Sequence, residues 1–128
     1  MSFTHQVTEK VLVGGESISI VNTLTSGSKI SIDESMPVAT DTPLAITLDV
    51  SQAKSVYILS DQDITIETNA TNASGGNTLA LKANIPYVWY TNKYHSLVFT
   101  NDITIAYVTN ASSGAARLQI EILFDPTV

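Results

Sequence analysis

The sequence predicts an all-β protein, a single antiparallel β-sandwich of jelly-roll or Ig-like type with about nine or ten short strands. Three observations predict it. Apolar and polar residues alternate in short runs separated by Gly, Pro, Ser and Asn turns, the period of half-buried strands. No helical period survives for two turns anywhere in the chain. One unit also occurs twice: Asp63-Ile64-Thr65-Ile66 runs into Thr71-Asn72-Ala73-Ser74-Gly75-Gly76 and Leu79-Ala80-Leu81, and Asp102-Ile103-Thr104-Ile105 runs into Thr109-Asn110-Ala111-Ser112-Ser113-Gly114 and Leu118-Gln119-Ile120. Each copy reads as a β-hairpin. A lone two-stranded ribbon buries too little apolar surface to be stable, so both copies should pack within one sheet or across a sandwich.

Taken in order, Phe3 to Val13 alternates with Phe3, Val7, Val11 and Val13 on one side and reads as a first, edge strand. Gly14-Gly15 is a hairpin signal. Glu16 to Leu24 resumes the alternation, with Ile18, Ile20 and Leu24 on one face. Thr25-Ser26-Gly27-Ser28 makes the next turn, before a short strand carrying Ile30 and Ile32. Prolines at Pro37 and Pro43 exclude a central strand, so Asp33 to Pro43 is expected to be the main irregular loop. Leu44, Ile46, Leu48 and Val50 alternate as a strand, and a turn at Ser51-Gln52-Ala53 leads to Val56-Tyr57-Ile58-Leu59, apolar on both faces and therefore expected to be covered on both.

In the first repeat Ile64 and Ile66 point inward and Thr65 and Glu67 outward. Pro86 should sit at a strand start or on an edge, since it has no N–H for a ladder. Tyr87 to Tyr90 and Leu97 to Phe99 read as strands around a loop. The second repeat gives Ile103, Ile105 and Tyr107, then Leu118, Ile120, Ile122 and Phe124 on the final strand. The expected core is Ile64, Ile66, Leu79, Leu81, Ile103, Ile105, Leu118, Ile120 and Ile122.

The 128 residues fit one domain spanning 1-128, long enough to bury a core without staples. There is no cysteine, which removes disulfides, thiol nucleophiles and thiolate metal sites. Net charge is -6 and the six basic residues are scattered, so no nucleic-acid partner is expected; phosphate binding needs a concentrated positive field. The start has no basic segment followed by an apolar one, and no apolar run reaches the roughly 18 residues of a membrane span, so the expectation is a soluble protein made without an export signal. Only 14% of residues are charged. A surface so weakly defended by charge suits a molecule docked to neighbours.

No chemistry-bearing constellation stands out, and no enzymatic activity or cofactor is expected. His5 and His95 lie in no nucleophile elbow and near no matching carboxylate pattern. Asp61, Asp63 and Asp102 could offer oxygens to calcium, but the pattern of a convergent calcium loop is missing, and Asp at a strand entrance more simply caps the turn. Asn69-Ala70-Thr71, Asn72-Ala73-Ser74 and Asn110-Ala111-Ser112 match the glycosylation pattern and read first as turns. Tyr87, Trp89, Tyr90 and Tyr94, with Asn92 and Asn101 nearby, could form a stacking platform for sugar, although interface or core burial explains the same rings.

Ser60-Asp61-Gln62-Asp63-Ile64-Thr65-Ile66-Glu67-Thr68-Asn69, Leu79-Ala80-Leu81-Lys82-Ala83, Pro86-Tyr87-Val88-Trp89 and Asp102 to Ser112 together resemble a group of small tailed-phage and prophage virion proteins related to capsid decoration, or cement, proteins. The resemblance covers about the C-terminal half. It implies a non-enzymatic virion protein on the outer capsid surface, assembled in the host cytoplasm, with the major capsid protein as partner and a homotrimer as the favoured oligomer. It transfers no functional residue. The two-sided apolar run suggests Tyr57 and Leu59 as interface residues. The first strand (Phe3, Val7, Val11, Val13) and the irregular loop (Met36, Pro37) are the expected intersubunit or capsid contacts, through apolar packing and main-chain pairing. The alternative is a carbohydrate-binding module on a tail or surface appendage, using Tyr87, Trp89, Tyr90 and Tyr94.

Overall fold

The structure, a computed structural model, describes residues 2–71, 76–91 and 93–126. Among these residues ten strands form three antiparallel sheets: β1 (Phe3–Val13), β2 (Glu16–Ser26), β3 (Ser28–Met36), β4 (Ala39–Leu44), β5 (Ala53–Ser60), β6 (Ile64–Thr68), β7 (Thr78–Leu81), β8 (Tyr87–Tyr90), β9 (Ala106–Asn110) and β10 (Ala116–Phe124). Eight of them make two four-stranded sheets, ordered β3-β10-β5-β8 and β4-β9-β6-β7, while β1 and β2 pair only with each other. The pairs β6 with β7, β5 with β8, β4 with β9 and β3 with β10 are all antiparallel. The chain from β3 to β10 is thus one long hairpin, turning between β6 and β7, rolled up so that successive pairs fall alternately in one sheet and the other. That topology is the jelly roll, the first of the two sandwich types expected.

The core lies between the two sheets. It takes Val56 and Ile58 from β5, Leu118, Ile120 and Ile122 from β10, Ile64 and Ile66 from β6, Leu79 and Leu81 from β7, and Ala106 and Val108 from β9. The period-two alternation places these side chains inward because a strand sends neighbours to opposite faces. The first repeat is the expected hairpin, with Ile64 opposite Leu81 and Ile66 opposite Leu79. The turn read at Asn72 to Gly75 lies outside the described residues.

The second repeat is not a hairpin. Residues 102–105 form no strand, β9 starts at Ala106, and β9 and β10 belong to different sheets. The local cause is Asn69. Its backbone N–H donates to the Ile105 carbonyl (2.8 Å), its Oδ1 accepts from the Thr104 N–H (2.8 Å), and its Nδ2 donates to the Asp102 carbonyl (2.7 Å). This clamp breaks the alternation: Ile103 and Ala106 are buried, whereas Ile105 and Tyr107 are half-buried. Ile105 is therefore not a core residue.

Asp33 to Pro43 is not an irregular loop either. β3 continues to Met36 and β4 begins at Ala39. Each is the edge of its sheet, where one side of the ladder needs no partner, so charges and Pro43 are tolerated. Conversely, Leu44 to Val50 is no strand beyond β4. Leu48 makes one two-way bridge with Ile103, and Val50–Gln52 is a 3₁₀ turn capped by Asp49. Leu97 to Phe99 is loop, with Leu97 and Phe99 buried. In both segments alternation reports one-sided burial of loops closing the sandwich, which hydrophobic period alone cannot tell from a ladder. As expected, Pro86 directly precedes an edge strand, β8.

Candidate functional site

β1 and β2 form an eleven-pair ribbon, from Phe3 opposite Ser26 to Val13 opposite Glu16. Gly14 and Gly15 make its two-residue turn with φ of 57° and 87°. Positive φ at both positions is the type I′ requirement that glycine meets without strain. The expectation of a first strand at the edge of the main sheet is corrected: this ribbon is a separate layer over the outer face of β3-β10-β5-β8.

Its path is fixed by a series of side-chain anchors. Phe3 lies under the Lys29 ammonium of β3, 5.1 Å from ring centre to Nζ. His5 Nδ1 is 3.0 Å from Ser55 Oγ of β5. At β8, the Tyr90 hydroxyl donates to Glu9 Oε1 (2.5 Å) and accepts from Asn22 Nδ2 (3.3 Å). Lys93 Nζ bonds the same Glu9 oxygen at 3.0 Å and lies 4.8 Å from the Tyr90 ring centre. The ribbon therefore starts at edge strand β3, crosses the sheet and passes beyond the opposite edge, β8. Its distal end, from Lys10 to Ser19, overhangs by roughly 13 Å at about 3.3 Å per residue.

The overhang and the two β2 residues that lead back from it are apolar and bare: Val11 is 57%, Leu12 71%, Val13 58%, Ile18 62%, Ile20 59% and Val21 56% exposed. Val11, Val13, Ile18 and Ile20 continue the ribbon face that carries Phe3, His5 and Leu24 against the sheet. Beside β1, a groove of about 490 Å³ is walled by residues Thr4 to Thr8 and floored by Tyr57, Val88, Pro86 and Glu121. On the β2 side a second depression of about 540 Å³ gathers Glu9, Asn22, Tyr90, Lys93, Tyr94 and His95.

Electrostatics follow these contacts. The Tyr90 hydroxyl, and then Lys93, hold the Glu9 carboxyl below the usual carboxylate range, and Glu9 in return raises the Tyr90 phenol. Burial lowers His5, against the opposing pull of Glu121. The His5–Ser55 pair is one that sequence reading missed, because fifty residues separate its members and only the ribbon's crossing joins them. It does not make a nucleophile: Ser55 is 1% exposed, and the nearby Glu121 accepts from Ser31 Oγ at 2.6 Å.

Of the expected interface residues, Val11 and Val13 lie on the overhang, Phe3 and Val7 are half-buried on the ribbon's body-facing side, and Tyr57 and Leu59 sit half-buried on the outer sheet face. Met36 is corrected: at 2% exposure it belongs to the core, because β3 continues through it, while Pro37 is exposed between β3 and β4. The four rings of the sugar reading do not form one platform. Tyr87 and Trp89 pack toward the core and brace the following loop, with the Val98 N–H donating to the Tyr87 hydroxyl (2.9 Å) and Trp89 Nε1 donating to the His95 carbonyl (3.1 Å). Tyr90 faces the ribbon and Tyr94 is fully exposed. Asn92 lies outside the described residues.

The carboxylates considered for calcium are occupied by backbone. Asp61 accepts from the Arg117 N–H (2.8 Å), Asp63 from the Ala83 N–H (2.8 Å) and Asp102 from the Val50 N–H (3.0 Å). Among the described residues no group of three His, Asp or Glu side chains converges as a metal site would need. Asn110 spends its amide partly on the local turn with Ser112 and Gly114, as expected, whereas Asn69 spends its own on the 102–104 segment and Asn72 lies outside the described residues. Compared with protein-family models, with curated proteins and with solved structures, the chain matches none.

Proposed function

We propose that this is a non-enzymatic structural protein of a tailed-phage virion, a decoration or cement protein that binds the outer surface of the head and stabilises it. The observation that carries the reading is the overhanging ribbon. A compact jelly roll holds out a nearly uncharged apolar arm that its own core leaves uncovered, and an exposed apolar strip of that kind marks an interaction surface. The resemblance of residues 60–112 to virion proteins supplies the identity of the target, the major capsid protein. Repetition over a capsid lets each contact be modest, since many copies add their contributions.

The test is co-sedimentation of the full-length protein with purified, undecorated heads. Binding that saturates at a fixed copy number and persists in about 1 M salt is expected, because at that ionic strength charges farther apart than about 3 Å are screened while apolar contacts are not. Leu12→Asp should weaken it at least tenfold. Failure to bind, or loss of binding in salt, overturns the reading.

One observation favours a second reading. Tyr94 stands exposed beside Tyr90, Asn22 and Glu9, the mixture of ring and polar groups that a sugar site uses. A glycan array with Tyr94→Ala as control separates the two; Trp89→Ala would be a poor control, since that ring braces a loop.

A further inference from the structure

We infer that two copies of this chain join by mutual exchange of their ribbons, strand β1 of each adding antiparallel to the free edge of β1 of the other, so that the apolar overhang of one copy fills the groove beside β1 in its partner.

The argument starts from main-chain bonds. Val13 and Glu16 flank a two-residue turn and so form a hydrogen-bonded pair, and the odd residues of β1 bond to β2 from there back. The even residues Gln6, Thr8, Lys10 and Leu12 direct their N–H and C=O groups to the other edge. Among the described residues that edge has no strand partner, since β1 pairs with β2 alone. A long open edge is a template for another strand.

Self-complementarity identifies the strand. β1 carries a groove at one end, along residues 4–8, and an apolar overhang at the other, along 10–13. A two-fold axis perpendicular to the ribbon near Glu9 brings each end onto the opposite end of the second copy. Val11 then lies opposite the partner's Val7, and Val13 opposite the partner's His5.

The side-chain faces agree. Antiparallel partners related by such an axis keep the same face on the same side. The odd residues of β1 face the body at the groove, so Val11 and Val13 of the incoming strand point to the groove floor of Tyr57, Val88 and Pro86. The two bodies lie under opposite ends of the joined four-stranded sheet and meet at the axis, where each Glu9 is tied to its own Tyr90 and Lys93.

Charge and size fit as well. The ribbon's only charged residues are Glu9, Lys10 and Glu16, and Glu9 is already paired with Lys93, on a chain of net charge -6. The axis sets the two Glu9 carboxylates opposite each other, a like-charge pair whose repulsion each chain's own Lys93 offsets. Overhang and groove together supply about twenty residues per copy, the lower end of the roughly 20–30 of a standard interface.

The inference concerns the free protein and stands whether or not a capsid is the target. Sedimentation equilibrium of the full chain at micromolar concentration should give twice the mass of one chain. Thr8→Pro removes one outward N–H without touching the β2 ladder and should weaken self-association at least tenfold, as should Val11→Asp. Both should leave the unfolding midpoint of the body unchanged when compared at concentrations where all are monomeric. Because the chain has no cysteine, Val13→Cys in one copy and Val88→Cys in another should cross-link as a mixed pair on oxidation. A monomer at micromolar concentration overturns the inference. So does the trimer that the virion resemblance implies, if Thr8→Pro and Val11→Asp leave it intact.

Discussion

Asn110 is 1% exposed, yet its amide holds three chain segments together. Nδ2 donates to the Met36 carbonyl (3.1 Å) and the Gly114 carbonyl (3.0 Å), while Oδ1 accepts from the N–H and the hydroxyl of Ser112. Asn110→Ala should cost about 2–3 kcal/mol, the penalty for leaving buried polar groups unpaired, seen as a lower urea midpoint with an unchanged slope. Gly76 is required for a different reason: a Cβ there would stand 1.9 Å from the Thr68 carbonyl oxygen. Gly76→Ala should therefore cost about 1–3 kcal/mol, as overpacking does, by the same measurement. His5 couples the ribbon to pH. Burial lowers its folded pKa below 6.5, so above pH 6.5 its contribution is complete. As pH falls from there toward the folded value the unfolded chain takes the proton first, and stability declines. An NMR titration should place the His5 midpoint below 6.5, and His5→Phe should flatten the stability profile in that window. Asn110 was legible as a turn former from Asn-Ala-Ser, because Asn closes turns locally. That it is buried was not, since burial depends on β3 reaching Met36 from 74 residues away.

At the level of elements, the Gly14–Gly15 turn was readable because two adjacent positive φ values have few chemical solutions. Gly15→Val should strain that turn by about 1 kcal/mol or more. Since the overhang makes no contribution to the core, the expected result is faster amide exchange from Val11 to Ile18 with an unchanged global unfolding midpoint; a lowered midpoint would mean that the tip is coupled to the body. β3 and β4 were misread because Asp33, Glu34, Pro37 and Pro43 look like loop chemistry, and only the finished sheet order reveals that both strands are edges. The error at Leu44 to Val50 is the mirror image. Those residues alternate as a strand does because Leu44, Ile46 and Leu48 are buried on one side, but no neighbour runs close enough to form a ladder beyond one bridge. The candidate site is half legible: the alternation of β1 marks Val11 and Val13 as outlying apolar residues, but for Ile18 and Ile20 it shows only a strand face, because the overhang depends on where the ribbon crosses the sheet.

For the whole molecule, stability is concentrated where the rolled hairpin closes. β10 lies between β3 and β5, and Ile120, 2% exposed, sits opposite both Ile32 and Ile58. Ile120→Ala should cost about 2–5 kcal/mol in chemical unfolding, the range for a buried aliphatic truncated in a close-packed core. Half-buried Ile105 should lose much less on the same change. The sandwich class was legible from alternation because inward faces must be apolar in any such fold. Jelly-roll strand order was not, since β3 and β10 pair across some ninety residues and no local signal encodes that meeting. One further consequence is mechanical. The ribbon is rooted through Gly27 at β3, with the Gly27 N–H tied to Asp125 at 2.8 Å, yet it leaves the molecule past β8, at the far side of the same sheet. A pull on its tip is directed across β10 and β5, so tension draws β3 toward its neighbour rather than peeling it off. The arm behaves as a strap anchored behind the load, and traction seats the anchoring strand.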